Sequence, residues 1–185
     1  NALEVMEAVD VLRGHGSDDL REVCTALAEN MLMLCNGWDE ERARAEVAEA
    51  VASGKAFETM KKWIAAQGGN AAALEDFSLL PQASVHYKLK APRSGYLAHM
   101  DAQKIGEASA ILGAGRQKKE DSIDYAAGIV LRKKTGDRVE AGETLAELWT
   151  NQEKSIADSE AEFLSALVWG EEAPQHQPLV LGVIR

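Results

Sequence analysis

The sequence has no long apolar run and comparatively few basic residues. No stretch approaches the roughly 18 consecutive apolar residues that a membrane-spanning helix needs, and the acidic start is unlike a signal peptide. Lys and Arg number 20 against 30 Asp and Glu, which gives a formal net charge of −10. Because binding to nucleic acid or to an anionic membrane requires a basic face, we expect neither as a partner.

Cysteine is also scarce, since Cys24 and Cys35 are the only two. They lie about three turns apart on one predicted helix, which is too far for a disulfide within that helix. The pattern favours two buried thiols in a reduced protein, and we therefore expect a cytoplasmic location.

A methionine is missing from the start of the sequence. The chain opens as NALEVMEAVDVLRG, in which Ala2, Val5, Val9 and Leu12 recur at helical spacing. No capping signal precedes them, so we expect a fragment whose first helix had residues ahead of it. A processed natural terminus is the alternative.

The hydrophobic period changes near Pro81, which predicts an α+β protein with a boundary between residues 80 and 81. Residues 1–80 have helical periodicity, and Ser17 can cap the second helix. Residues 81–185 contain segments in which apolar and polar side chains alternate, as they do in strands. Strands are predicted at Val85–Lys90, Gly95–His99, Gly128–Lys133, Thr144–Thr150 and Leu179–Ile184. Helices are predicted in this half at Ala102–Leu112 and Gln152–Val168.

Two separated segments, Ala91–Tyr96 and Lys134–Leu145, have the chemistry of tight corners, because glycine accepts unusual backbone angles and Asp137 can bond its own turn. Together they resemble the corners of a biotinyl or lipoyl carrier domain, a flattened barrel. A carrier needs an acceptor lysine on an exposed hairpin, and the aligned position holds Gln152, with Lys154 out of register. The sequence therefore favours the barrel shape over carrier chemistry.

The segment LGAGRQKKEDSID, residues 112–124, lies between those corners. Its Gly-Ala-Gly followed by Arg and two Lys could present N–H groups and charge to phosphate. No strand-then-helix context accompanies it, so it does not fit a dinucleotide or P-loop fingerprint. A helix stop followed by a solvated charged loop explains it equally well.

Four blocks in this order closely resemble the C-terminal portion of pyrimidine nucleoside phosphorylases, the group that includes thymidine phosphorylase. The blocks are NALEVMEAVDVLRG, AAQGG, LGAGRQKKEDSID and GIVLRKKTGDRVEAGETLAEL. The resemblance implies that residues 1–80 are the last helices of an α/β catalytic domain. Residues 81–185 would then be an α/β-hammerhead C-terminal domain on a barrel-sandwich core.

The resemblance also implies an activity, a pentosyl transfer in which phosphate splits a pyrimidine nucleoside into base and (deoxy)ribose 1-phosphate. The family's phosphate- and base-binding residues lie upstream of the NALEV block, so it assigns no catalytic or substrate-binding residue here, and the chain alone is expected to be inactive. It gives one metal position, because Glu7 falls where bacterial members bind a structural monovalent cation, potassium. It implies a cytoplasmic homodimer with no organic cofactor.

Two alternatives stay open at this point. One is a non-catalytic barrel-sandwich binding module, against which the missing acceptor lysine counts. The other is a structural domain of a phosphorylase that acts on nucleoside monophosphates. The sequence does not separate thymidine from uridine preference.

Overall fold

The computed structural model describes residues 1–116 and 118–184, and these form two compact units. One unit contains Glu4–Leu79 and the residues from Gln177 onward, and the other contains Asn1–Leu3 and Leu80–His176. Six helices and two small antiparallel sheets lie in the described residues, which confirms the α+β class. The predicted family domain boundary at residues 80 and 81 and the hammerhead assignment stay predictions.

The helical unit is built from four helices and two short 3₁₀ turns. Val9, Phe57 and Leu74 form its buried core. The helices are α1 (Ala2–Leu12), α2 (Asp18–Asn36), α3 (Glu40–Ala52) and α4 (Lys55–Ala66), and the turns are Ala71–Leu74 and Phe77–Leu79.

Helix α2 exposes much of its apolar stripe. Ser17 is the N-cap residue as predicted, although its side chain makes no capping hydrogen bond. The exposed fractions of Leu27, Met31 and Leu34 are 61%, 65% and 85%. Cys24 and Cys35 are free and exposed, so the prediction of buried thiols is wrong. The stripe correctly indicated a helix, but these three side chains stay largely uncovered among the described residues.

The β-rich unit consists of two three-stranded sheets, with strand orders β1-β5-β3 and β4-β2-β6. Its core lies around Leu89, Leu97, Leu148 and Phe163, which are fully buried. The strands are β1 (Val85–Lys90), β2 (Gly95–Met100), β3 (Gly128–Leu131), β4 (Arg138–Val139), β5 (Thr144–Thr150) and β6 (Leu167–Gly170). The helices are α5 (Ala102–Ser109) and α6 (Ile156–Ser165).

Three sequence predictions in this half need correction. The strand predicted at Leu179–Ile184 has no regular structure. The helix predicted at Gln152–Val168 begins at Ile156 and ends at Ser165, and Leu167–Gly170 pairs with β2 instead, because Phe163–Trp169 is apolar enough to suit either element. The α-helical part of α5 ends at Ser109, and the predicted last turn to Leu112 is a wider π-type turn instead.

The two predicted corners bond to each other. The amide of Ala91 donates to the carbonyl of Glu143 over 2.8 Å, and that of Gly142 donates to the carbonyl of Ala91 over 2.9 Å. Asp137 accepts a hydrogen bond from the amide of Lys134 over 2.8 Å, so its carboxylate bonds its own turn as the sequence predicts.

Among the described residues no helix is both long and apolar enough to cross a membrane.

A pH dependence follows from Glu143. Its carboxylate accepts a hydrogen bond from the amide of Glu140 over 2.7 Å and lies 3.4 Å from the Lys133 ammonium. The backbone hydrogen bond, helped by Lys133, lowers the pKa of Glu143 below its ordinary value of 4.5. The ionised Glu143 carboxylate therefore stabilises the folded state. This stabilisation is complete above pH 4.5 and is lost as the pH falls through the lowered pKa.

We expect Glu143→Gln to flatten the acid side of the stability curve, because the amide oxygen still accepts the hydrogen bond but no longer titrates. Urea unfolding between about pH 5 and pH 3 measures it. Glu171→Gln, at an exposed position, controls for the loss of one charge. An unchanged slope in Glu143→Gln would show that this carboxylate does not contribute.

Candidate functional site

The candidate site is the loop of residues 113–124, which follows α5. Residues Ala110–Ala114 continue α5 as a wider π-type turn that contains a Gly113 φ of 106°. The amide of Asp124 donates to the carbonyl of Gly113 over 2.9 Å, so the two ends of the loop are hydrogen-bonded together. A Cβ at residue 113 would lie 3.1 Å from Gln152 Nε2 as well as needing a disfavoured φ, so glycine is required there.

Asp124 anchors the base of the loop to the end of β5. Its Oδ1 accepts from the amide of Ala126 and its Oδ2 from the side-chain amide of Asn151, both over 2.9 Å. Asn151 in turn accepts from the amide of Ser84 over 2.8 Å. Three segments that are distant in the sequence therefore meet at one carboxylate–amide pair.

Thr150 supplies a second, buried anchor. Its side chain is fully buried, and its hydroxyl donates to the carbonyl of Leu112 over 2.8 Å. The same oxygen accepts from the amide of Gln152 over 2.9 Å. The hydroxyl is thus satisfied as donor and acceptor, and it joins the last residue of β5 to the turn from which the loop departs.

The outer part of the loop carries exposed cationic side chains at Arg116, Lys118 and Lys119. Asp121 accepts from the amide of Lys118 over 2.8 Å and returns a bond from its own amide, which makes a tight turn. Gln117 lies outside the described residues. The loop follows the C-terminal end of α5, where the helix dipole is negative, so the helix itself offers no anion site to the loop. Any attraction for phosphate has to come from the cationic side chains.

Glu7, the residue identified by the resemblance as a cation ligand, is exposed on α1. No group of three or more His, Cys, Asp or Glu side chains in the described part of the chain could hold a metal ion. Glu7 by itself therefore does not complete a cation site, since such ions take several oxygen ligands. The structure does not test its assignment, which stays a prediction.

The described residues provide no acceptor hairpin for the carrier alternative. Gln152, at the acceptor position, directly follows β5, and the chain then enters a 3₁₀ turn at Glu153–Ser155 and helix α6. Lys154 is exposed within that turn. A lysine on a short helical turn lacks the protruding two-stranded tip that presents biotin or lipoate to an enzyme.

Sequence reasoning found the loop and missed its anchors. Thr150 is predicted only as the end of a strand, and no role is predicted for Asn151. The signal that was available is the run of polar residues Thr150–Gln152 directly after an apolar strand, which is typical of a strand end that bonds neighbouring loops.

Comparison with known proteins defines the class. Residues 96–168, which include the loop, both anchors and most of the two sheets, match the family model described as the pyrimidine nucleoside phosphorylase C-terminal domain. The chain thus corresponds to the C-terminal portion of proteins of that family, as the sequence resemblance indicated.

Individual relatives agree with this assignment. The pyrimidine-nucleoside phosphorylase of Geobacillus stearothermophilus is 44% identical over 155 residues, which cover 83% of this chain and 36% of the relative. That of Bacillus subtilis is 45% identical and that of Staphylococcus aureus 46% identical, each over 154 residues with the same coverage. The chain therefore spans about a third of the length of the curated relatives it matches.

The anchoring role of Asp124 predicts a change in loop exposure. We expect Asp124→Ala to speed tryptic cleavage after Arg116, Lys118 and Lys119 by about tenfold, because the loop base opens more often when its carboxylate contacts are lost. Mass spectrometry of timed digests measures the rates.

Ser122→Ala, in the same loop and exposed, is the matched control and should leave the rates unchanged. Equal cleavage of Asp124→Ala and the wild-type chain would contradict the anchoring role.

Proposed function

We propose that this chain is the C-terminal part of a pyrimidine-nucleoside phosphorylase. The whole protein would cleave a pyrimidine nucleoside with phosphate, giving the free base and a pentose 1-phosphate. The observation that carries the proposal is the 44% identity to the Geobacillus stearothermophilus enzyme over 83% of the chain. The match of residues 96–168 to the family's C-terminal domain supports it independently of the helical unit.

The loop of residues 113–124 is the part of this chain that we assign to that function. Phosphorolysis demands that phosphate and nucleoside be held in line, and groups fixed before the reaction do this best. The anchors Asp124, Asn151 and Thr150 fix the base of the loop, while its outer residues carry three cationic side chains. The chain would supply a firmly based loop whose three cationic side chains are equalled in number by Glu120, Asp121 and Asp124. The groups that contact substrate would come from elsewhere in the protein.

The resemblance extends to assembly and location. We assign the whole protein as a cytoplasmic homodimer that takes nucleoside and phosphate, with neither nucleic acid nor membrane as partner. The formal net charge of −10 supports the exclusion of polyanions, because they would be repelled. Light scattering of the complete protein tests the dimer.

The activity proposal predicts a difference between the chain and a fusion protein. In the fusion, the part of the Geobacillus stearothermophilus enzyme that this chain does not match precedes Asn1. We expect the chain alone to release no thymine or uracil from thymidine or uridine with phosphate, and the fusion to release base. Chromatography of the reaction mixture measures both.

The host for expression should lack its own nucleoside phosphorylases. Base release by the purified chain alone would show that catalytic groups lie within these residues. A fusion that is folded by circular dichroism but inactive on both nucleosides would contradict the proposed function itself.

Glu7 gives a second prediction, on the cation. We assign Glu7 as one oxygen ligand of a potassium ion whose other ligands lie outside this chain. Potassium, compared with tetramethylammonium at equal ionic strength, should raise the thermal midpoint of the fusion. Glu7→Gln should lose most of that rise, because the neutral amide binds a cation more weakly.

Glu4→Gln, also exposed and on the same helix, is the matched control and should keep the rise. Thermal midpoints are read by calorimetry without substrate, so the result is separate from activity. An equal rise in both variants would remove Glu7 from the cation site.

A further inference from the structure

The first turn of α1 is capped by the backbone of a distant segment. The first N–H groups of a helix have no acceptor within the helix itself. In α1 the amide of Ala2, its first residue, donates to the carbonyl of Tyr125 over 2.9 Å. The terminal ammonium of Asn1 donates to the same oxygen over 3.2 Å. The Tyr125 carbonyl thus supplies a cap of which the sequence before Ala2 gives no sign.

Leu3 adds a side-chain contact to this backbone cap. A Cβ on Gly128 would lie 2.9 Å from Leu3 Cδ1, so the leucine side chain fills the space that a larger residue at position 128 would need. Gly128 is the first residue of β3 and pairs with Trp149 of β5. Residues 1–3, which we call the strap, therefore contact both ends of the segment Tyr125–Gly128.

This segment is the exit of the loop of residues 113–124, because it joins Asp124 to β3. Ala126 and Ala127 are buried within it. Asp124 holds the loop side of the exit through the amide of Ala126 and the side chain of Asn151. In the described part of the chain, the hydrogen bonds to the Tyr125 carbonyl come from the strap. The exit is therefore held from two sides, by the loop base and by the start of α1.

We propose that the strap controls the mobility of the loop of residues 113–124. While the first turn of α1 is formed, it holds the exit segment and the loop base stays closed. When that turn frays, the exit segment is released and the loop opens more often. The two equilibria share the bond from Ala2 to Tyr125 and the contact of Leu3 with Gly128, so each shifts the other by the same factor.

The strap belongs to the same compact unit as the loop. The coupling therefore needs no partner and no substrate, and this inference does not depend on the activity. Its consequence is that any event which forms or frays the first turn of α1 also changes how often the loop opens.

Proline at residue 2 removes the shared hydrogen bond with little change to the helix, because proline has no N–H and suits the first position of a helix. We expect Ala2→Pro to speed amide exchange of residues 125–128, and tryptic cleavage after Lys118 and Lys119, by about tenfold. NMR measures the exchange, and mass spectrometry of timed digests measures the cleavage. Amides of the central strand β5 should keep their wild-type exchange rates.

Asp18→Pro is the matched control. Asp18 is the exposed first residue of α2 and follows Ser17, whose φ of −60° and ψ of 145° suit a residue before proline. This variant should leave both rates unchanged. Leu3→Ala keeps every backbone donor of the strap and serves as a second variant if Ala2→Pro does not fold. It should speed both processes, by a smaller factor than the loss of the hydrogen bond.

The reverse coupling is measured without any change in α1. Asp124→Ala, which loosens the loop base, should speed exchange of the Ala2 amide by about tenfold, whereas Ser122→Ala should not. A strap that only stabilised the fold would leave the Ala2 amide insensitive to residue 124.

Three results would overturn the proposal. They are wild-type rates at the loop and its exit in the folded strap variants, an equal acceleration of the β5 amides, which would mean a global loss of stability, and an Ala2 amide that does not respond to Asp124→Ala. An inactive fusion would contradict the proposed function and leave these rates as they are, so the two failures are distinguishable.

Discussion

The hydroxyl of Thr150 connects the sheet to the loop of residues 113–124. It lies in a fully buried position, where it donates to the carbonyl of Leu112 and accepts from the amide of Gln152. A buried carbonyl or amide that loses such a partner costs about 1–3 kcal/mol. Because Thr150 ends the central strand β5, the turn that opens the loop is held by the most strongly paired strand of the unit. The loop base is therefore joined directly to the sheet.

Local chemistry explains what the sequence could predict. The bounds of β1 and β5 follow from alternation of side chains, and the corner at Asp137 follows from a carboxylate that bonds an amide three residues before it. These features depend on neighbours within a few residues. The pair of Asp124 and Asn151 does not, since 27 residues separate the two side chains. Only the folded sheet brings them together, and no periodicity in a single sequence records that contact.

The errors in the helical unit have a different cause. An apolar stripe such as that of α2 shows that a helix face is suited to burial, but it does not show what buries it. Leu27, Met31 and Leu34 are exposed on this helix, and Cys24, which was expected to be buried, is exposed beside them. The same reasoning failed for Leu179–Ile184, which has the pattern of a strand without the partner that would make it one. Both errors occur where the pattern demands a surface that the described residues do not provide.

The extent of the sequence similarity bears on that missing surface. Identity of 44% extends over 155 residues, whereas only 90 residues follow position 95, so the alignment has to include a large part of the helical unit. The helical unit and the C-terminal domain thus occur together in one longer protein. Exposed apolar area gives roughly 25 cal/mol per Å² when it is buried. Burial of the apolar side chains that α2 exposes would therefore be favourable, which makes this helix face a source of binding free energy.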